Sequence, residues 1–287
     1  MVRHACKPPA TNAASIVNDG LRLLGLQDGP IDGFDITVAP EMMAVPIRVL
    51  PPPQLCYTGR QKNPTGGSWN IVSAQFKRPA TVASWGVAFV MDSGRISSQE
   101  VMQLVNGFGN KLKSCGVGFP NTPTKIVCMR TLPRGEPGRH EALDSIEETV
   151  RRLGSPPPKM ILFLLSRWDN FTYPGIKTLC DTKFGVHSIC MQLNKALRDP
   201  GKDQYLSNVA LKVNTKFGGI NHTLDDNSLG WLKTTSTMVV GIRVTHPRPG
   251  SIQGTPSIAA VVANVDNMFV QFPVSLRLQS ARAEVGN

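Results

Sequence analysis

The chain has 287 residues, which is enough for one large or two ordinary domains with a sizeable core. Its formal net charge of +11 and isoelectric point of about 9.6 favour a polyanionic partner, because excess lysine and arginine raise affinity for phosphate backbones without specifying a sequence. No apolar run approaches the roughly 18 residues of a membrane span, which predicts a soluble protein with no membrane partner.

The six cysteines are scattered along the chain and form neither a C-x-x-C pair nor a metal-ligand spacing. This pattern is typical of reduced, mostly buried thiols in an intracellular protein, and it predicts no metal site. Two N-glycosylation sequons, at Asn170 and Asn221, are interpreted as chance matches because no secretory segment precedes them. We therefore expect a cytoplasmic protein, with a nuclear location also open.

The first 83 residues do not have the pattern of a domain of their own. Apolar spacing predicts a helix from Asn12 to Leu24, and alternation predicts a strand from Phe34 to Val38. The proline-rich run Arg48–Pro53 then begins an extended connector. Residues 1–83 are therefore interpreted as a linker that packs along a neighbouring domain.

From residue 84 onward, strands and helices alternate regularly. The predicted elements are strand Ser84–Val90, a helix opened by the capping box Ser97–Glu100, strand Thr124–Met129, helix His140–Leu153 and strand Met160–Leu165. This alternation predicts an α/β domain of Rossmann-like architecture, in which helices cover both faces of a parallel sheet. We place this domain at residues 84–235.

A Rossmann-like architecture raises the alternative of a dinucleotide-binding enzyme. The candidate glycine signature, Gly116-Val117-Gly118, precedes a strand instead of following one, so it is predicted to be a turn. No phosphate-binding G-x-x-x-x-G-K-[ST] loop occurs either. Any phosphate site must therefore be built from side chains.

Candidate ligand-binding side chains follow the third strand of this domain. After the loop Arg167–Thr172, a predicted helix places Tyr173 and Lys177 on one face. The short segment Val186–Cys190 comes next, followed by a helix of roughly Asp203–Phe217 whose apolar strip is flanked by two lysines one turn apart. These elements lie where ligands bind in many α/β sheets.

The same elements carry one phenol, three ammonium groups, an imidazole and a hydroxyl. These groups belong to Tyr173, Lys177, Lys212, Lys216, His187 and Ser188. Several donors with concentrated positive charge suit a terminal phosphate monoester. Taken singly, lysines on helices more often form a solvated face, but their grouping favours a binding site.

Three further strands are predicted after residue 235, at Ser236–Val244, Ser257–Val265 and Val270–Leu278. The connections between them are short, which predicts an antiparallel meander within residues 236–287. Asp266, near the end of one strand, is interpreted as a turn residue and not as a metal ligand.

The run Leu211–Asn221, together with Tyr173, Lys177 and His187-Ser188, resembles the guide-binding MID domain of eukaryotic Argonaute proteins, most closely the fungal ones. The resemblance implies that Tyr173 stacks on the first guide base. It implies that five side chains bind the 5′-phosphate of a small guide RNA: Lys177, Lys212, Lys216, His187 and Ser188.

The same resemblance assigns Gln192 to the backbone of the next nucleotide, as a weaker candidate, and the loop Arg167–Thr172 to the edge of the first base. One residue departs from the family pattern. Many members carry a glutamine phosphate ligand in the segment Ser188–Cys190, where this chain has Ile189. His187 and Ser188 are then expected to serve instead.

The flanking regions extend the resemblance over essentially the whole chain. The connector that begins at Arg48 resembles the family's second linker, and Gly241–Pro247 resembles the opening of the ribonuclease H-like PIWI domain. Slicing members have a magnesium-binding aspartate at the position of Arg243. Glu284 matches the family's catalytic glutamate, but it is equally well described as a surface acid, and the remaining catalytic residues are expected beyond Asn287.

These features predict a protein that binds the 5′ end of a small guide RNA in gene silencing, and that does not cleave RNA as this chain. We expect a monomer, with target RNA as a further partner in a longer protein and with magnesium at the guide 5′ end left open. Two alternatives remain: a protein-interaction scaffold or decoy without guide binding, and a part of an RNA-guided ribonuclease completed elsewhere.

Overall fold

The computed structural model describes residues 6–26, 29–31, 33–90, 97–129, 140–166 and 171–280. The chain divides into two compact units, Met1–Pro51 and Pro52–Asn287. No described helix is long and apolar enough to cross a membrane. The predicted division into residues 1–83, 84–235 and 236–287 stays a prediction.

The first unit contains one continuous helical stretch. It consists of an α-helical turn region at Pro9–Ser15, a π-helical part at Ile16–Gly20 and a last α-helical turn at Leu21–Leu23. The predicted helix is therefore confirmed, with its start three residues earlier than expected. Residues 48–54 have no regular secondary structure, as expected for the start of a proline-rich connector. The connector does not stay irregular, however, because Leu55–Tyr57 and Arg60–Lys62 pair as strands.

The predicted strand Phe34–Val38 is wrong. Gly33 and Asp35 have positive φ angles of 83° and 49°, and residues 33–35 form a turn that is closed by an isolated bridge between Ile31 and Ile36. A residue in the left-handed region reverses the chain instead of extending it, so the apolar alternation has no sheet to join.

The second unit contains the sheets and most of the helices. In chain order its elements are β1 (Leu55–Tyr57), β2 (Arg60–Lys62), β3 (Trp85–Val90), α1 (Ser98–Ser114), β4 (Ile126–Met129), α2 (His140–Arg152), β5 (Met160–Leu165), α3 (Thr172–Thr178), β6 (His187–Gln192), α4 (Leu193–Ala196), α5 (Lys202–Lys216), β7 (Thr223–Leu224), α6 (Asp226–Lys233), β8 (Val240–Thr245), β9 (Ser257–Ala263) and β10 (Val274–Gln279). A π-helical turn, Leu179–Phe184, follows α3.

The central sheet has four parallel strands in the order β4-β3-β5-β6. Strands β3 and β5 are buried along their full length, as continuous apolar runs in a parallel sheet should be. One face packs on α1 and α5, and the other packs on α2 and α3. The predicted α/β fold with helices on both faces is confirmed, and the segment predicted only as Val186–Cys190 is its fourth strand.

Local signals in the sequence also match the structure. The Ser97 hydroxyl accepts a hydrogen bond from the Glu100 N–H at 3.2 Å, and the Glu100 carboxylate accepts one from the Ser97 N–H at 2.9 Å, so the predicted capping box is present. Gly116, with a φ of 91°, forms the turn after α1, and a Cβ there would meet the Pro79 ring at 2.9 Å. The glycine signature is therefore a turn, as predicted.

Two small antiparallel sheets complete the unit. One has the order β2-β1-β7, and the other is the meander β8-β9-β10, which confirms the predicted C-terminal arrangement. The first and last strands of the meander each begin four residues later than predicted, at Val240 and Val274. The Asp266 carboxylate accepts N–H bonds from Met268, Val270 and Gln271, so this residue does organise a turn.

Candidate functional site

A cavity of about 820 Å³ opens along β6, the edge strand of the parallel sheet. Its wall includes residues of α3, β6, α4 and α5 and of the segment after α5. The lining residues are Tyr173, Lys177, Ser188, Ile189, Cys190, Gln192, Lys195, Tyr205, Leu211, Lys212, Thr215, Lys216 and Asn221. The structure therefore brings six of the seven predicted binding residues to one cavity.

Helix α3 contributes Tyr173 and Lys177, which lie one turn apart as predicted. The Lys177 ammonium lies 5.5 Å from the centroid of the Tyr173 ring and donates to the carbonyl and hydroxyl oxygens of Ser188, at 2.7 and 2.8 Å. An ammonium has three N–H donors, so one is left for a ligand. Burial lowers the pKa of Lys177, since the charged form is partly removed from water.

Ser188 and His187 have different positions relative to the cavity. Ser188 is fully buried, and its described role is to accept the hydrogen bonds that orient Lys177. His187 does not line the cavity; its ring packs edge-on against Phe217, with the centroids 4.6 Å apart. Partial burial, followed by the nearby charge of Lys216, lowers the pKa of His187. Its predicted role as a phosphate donor stays a prediction.

Ile189 forms part of the cavity wall and part of the core. It is 3% exposed and belongs to the apolar cluster that includes Leu162, Val209 and Val213. Its side chain offers no hydrogen bond to a ligand. The donors of the site must therefore come from the lysines and from the polar groups around them.

Helix α5 contributes the exposed residues Lys212 and Lys216. The buried strip of the same helix, which contains Leu206, Val209 and Val213, packs into the core and fixes which face the lysines occupy. Together with Lys177, these side chains give the cavity three ammonium groups. A fourth comes from Lys195 in α4.

Several lining residues were not identified from the sequence. These residues are Lys195 in the short helix α4, Tyr205 and Thr215 in α5, and Asn221 in the segment after α5. The Tyr205 hydroxyl accepts a hydrogen bond from the Gln192 N–H at 2.9 Å, which ties α5 to the end of β6. Thr215 and Asn221 are polar residues close to the lysines in the sequence. That closeness is the signal that could have identified them as lining residues.

Two thiols, those of Cys180 and Cys190, lie near the Lys177 ammonium. Burial raises the pKa of Cys180 to about 12 and that of Cys190 to about 11, so both are neutral and do not offset the lysine charges. The structure records no disulfide among the six cysteines. The expectation that most of them are buried is wrong: only Cys115 and Cys180 are buried, whereas Cys56 and Cys190 are partly buried and Cys6 and Cys128 are exposed.

The remaining predicted positions either lie away from this cavity or fall outside the residues that the structure describes. The loop residues 167–170 and Glu284 lie outside the described residues. Arg243 is exposed on β8, where it pairs with Ala260 of β9. Within the described ranges, no three His, Cys, Asp or Glu side chains are grouped so that they could hold a metal ion.

The fold and the cavity define the chain as a parallel α/β protein with a basic pocket beside an aromatic ring. Three family models match it: the Argonaute linker 2 domain at residues 11–57, the Mid domain of argonaute at residues 63–135 and the Piwi domain at residues 160–286. The chain belongs to the Argonaute family, as the sequence resemblance predicted. Its Piwi domain is of the ribonuclease H-like class to which the slicing enzymes belong.

Individual relatives agree with this assignment. The chain is 31% identical to protein argonaute 2 of Oryza sativa over 95% of its own length and 27% of that protein, so it spans about a quarter of this curated relative. The MID-PIWI domains of N. crassa QDE-2 share 29% identity and a TM-score of 0.58, over 71% of this chain and 54% of that one. Kluyveromyces polysporus Argonaute with a guide RNA shares the fold, with a TM-score of 0.66 at 23% identity over 83% of this chain and 30% of that one.

Proposed function

We propose that the cavity binds the 5′-monophosphate end and the first nucleotide of a small guide RNA in RNA-mediated gene silencing. The observation that carries this proposal is that Tyr173, Lys177, Lys212 and Lys216 line one cavity. A related Argonaute of K. polysporus has been crystallised with a guide RNA. The same partner fits the chemistry of this site.

The charge of the cavity matches that of a phosphate monoester. Such a group carries about −1.5 to −2 charges near neutral pH and three strong acceptor oxygens. The charge of Lys216 contributes to lowering the pKa of Lys177, although burial is the larger cause. A bound anion relieves this repulsion, so the pocket gains more from a terminal phosphate than from an uncharged hydroxyl.

Tyr173 serves as the platform for the first base. Its ring is half-buried at the cavity wall, beside the Lys177 ammonium. Base stacking on an aromatic ring contributes roughly 1–3 kcal/mol and tolerates every base. Gln192 lines the same cavity, and we assign its side-chain amide to the backbone of the next nucleotide.

The direct test is a binding titration with two RNAs of identical sequence, one with a 5′-phosphate and the other with a 5′-hydroxyl, at physiological salt. The chain should bind the phosphorylated RNA more tightly. Lys212→Ala and Lys216→Ala should weaken the binding of the 5′-phosphate RNA much more than the binding of the 5′-hydroxyl RNA. Lys125→Ala is the matched control, because Lys125 is exposed and precedes β4, the opposite edge strand.

If the two RNAs bind equally and their binding weakens with salt, nonspecific charge attraction alone explains the binding. The scaffold or decoy function, without a working pocket, would then become the better interpretation. Monomeric state, target RNA as a further partner, and a cytoplasmic or nuclear location are parts of the same proposal.

We also propose that this chain does not cleave RNA. Two-metal hydrolysis requires clustered carboxylates that hold ions about 4 Å apart, whereas the position that matches the family's first aspartate is Arg243. A guanidinium repels a divalent cation. Incubation with a complementary target, guide and magnesium should leave the target intact, and a discrete magnesium-dependent product would overturn this part of the proposal.

A further inference from the structure

The C-terminal end of α5, which carries both pocket lysines, is held by side-chain amides, one of them fully buried. Asn214 is fully buried and lies between Lys212 and Lys216 in the sequence. Its Oδ1 accepts the Ala80 N–H at 2.8 Å, and its Nδ2 donates to Asn221 Oδ1 at 2.9 Å. The amide therefore connects the helix both to the segment before β3 and to the segment after α5.

Asn221 continues this connection to the cavity wall. Its Nδ2 donates to the Leu211 carbonyl at 3.1 Å and to the Thr215 hydroxyl at 2.9 Å, and that hydroxyl donates to the same carbonyl at 3.0 Å. Leu211, Thr215 and Asn221 line the cavity together with the lysines. We call Asn214, Thr215 and Asn221 the amide clamp.

The turn after α5 is shaped so that Asn221 can reach back. Gly218, with a φ of 79°, donates its N–H to the Thr215 carbonyl, and Gly219 donates to the Asn214 carbonyl, which is the pattern of a Schellman helix end. A Cβ on Gly219 would overlap the Asn214 side-chain amide. The Arg78 guanidinium donates to the Gly218 carbonyl at 3.0 Å and fixes the turn from outside.

We infer that the amide clamp positions Lys212 and Lys216 for the 5′-phosphate, so that Asn214, Thr215 and Asn221 are positioning residues of the pocket. The inference rests on the proposed guide-binding function. Backbone N–H groups already bond the carbonyls of Val213, Asn214 and Thr215, so the clamp acts by tying the helix end to its neighbours through side chains. Without these bonds the end of α5 is held less firmly, and its movement displaces both ammonium groups from a phosphate held by Lys177 at the other wall.

The test uses two mild variants of the clamp. Thr215→Val removes the hydroxyl that bonds Asn221 with little change in shape. Asn221→Ala removes the bonds that connect the segment after α5 to Asn214, to Thr215 and to the Leu211 carbonyl. Asn214→Ala is a poorer choice, because it also leaves the Ala80 N–H without its partner in the core. The readout is the phosphate preference, defined as the Kd of the 5′-hydroxyl RNA divided by the Kd of the 5′-phosphate RNA.

Each clamp variant should lower the phosphate preference about 10-fold, the scale on which outer partners that orient binding groups act. The control is Val127→Ala, which truncates a buried residue of β4, the edge strand opposite the cavity. It should lower the melting temperature and leave the preference unchanged. In the Lys216→Ala background, Asn221→Ala should have a smaller effect, because the group that it positions is partly gone.

The outcomes separate this inference from the function on which it rests. A wild-type preference near one refutes the guide 5′-phosphate function itself. A clear wild-type preference that persists in both clamp variants refutes the positioning role alone. A preference that falls equally in Val127→Ala shows a loss of stability only, and that result also refutes the positioning role.

Discussion

Lys177→Met is the most informative single change in the pocket. Methionine has a similar length and keeps the apolar stem, but it removes the ammonium that donates to Ser188 at 2.7 and 2.8 Å and lies 5.5 Å from the Tyr173 ring centroid. The variant therefore removes one charge while the cavity keeps its shape. We expect it to lower the affinity for the 5′-phosphate RNA strongly and the affinity for the 5′-hydroxyl RNA only slightly.

The size of the effect follows from the geometry of the ammonium. A hydrogen bond to a charged group contributes about 1.5–3 kcal/mol, which corresponds to roughly 10- to 150-fold in Kd. Unit charges about 4 Å apart attract by roughly 4 kcal/mol at an effective dielectric of about 20, so Coulomb attraction allows the upper half of that range. The ammonium is already half-buried and oriented by Ser188, so binding adds little further desolvation or ordering cost.

Fluorescence anisotropy with end-labelled RNAs at fixed ionic strength measures this effect. Lys125→Met controls for the loss of a positive charge elsewhere on the sheet. A comparable loss for both RNAs, or a loss below about threefold for the 5′-phosphate form, would contradict the assignment of Lys177 as a phosphate ligand, because it falls short of a single charge-assisted hydrogen bond.

Three further predictions concern the same pocket and the fold that supports it. Tyr173→Ala should weaken the binding of the phosphorylated RNA by roughly 1–3 kcal/mol, as measured by the same titration, whereas Tyr173→Phe should retain the affinity. Because burial lowers the pKa of Lys177, its proton is lost at a lower pH than that of an exposed lysine. The phosphate preference should therefore fall, as the pH rises, before exposed lysines titrate, and Lys177→Arg should shift this fall to higher pH. Ser97→Ala should destabilise the fold by about 1 kcal/mol in urea, because it breaks the capping box of α1.

The sequence was most informative where one local signal coincided with the fold. The buried apolar runs of β3 and β5, the capping box before α1 and the helical spacing of α2 predicted a parallel sheet with two covered faces. Strand β6 was harder to predict, since it has the same length as β3 and β5 but mixes polar and apolar residues at the edge of the sheet. Its identity as a strand depends on pairing with β5, which is a tertiary effect.

The same contrast between local sequence signals and long-range contacts applies to the residues of the site. The four-residue spacing of Tyr173 and Lys177 was enough to place them on one face, and the spacing of Lys212 and Lys216 did the same for α5. No spacing brings Lys195 or Asn221 to the cavity, because the short helix α4 and the turn after α5 carry them there. The contact of His187 with Phe217 is likewise a long-range contact that no local pattern predicts.

The cavity depends on strands that belong to two different family matches. The Mid match, residues 63–135, contains β3 and β4, whereas the Piwi match begins at Met160, the first residue of β5, and includes the whole cavity. Strands β3 and β5 pair over six residues from Trp85–Met160 to Val90–Leu165. A chain cut at Met160 would expose the buried edge of β5 and remove α1 from the face on which α5 packs. The lysines of α5 therefore require the Mid match for their position, although none of them lies within it.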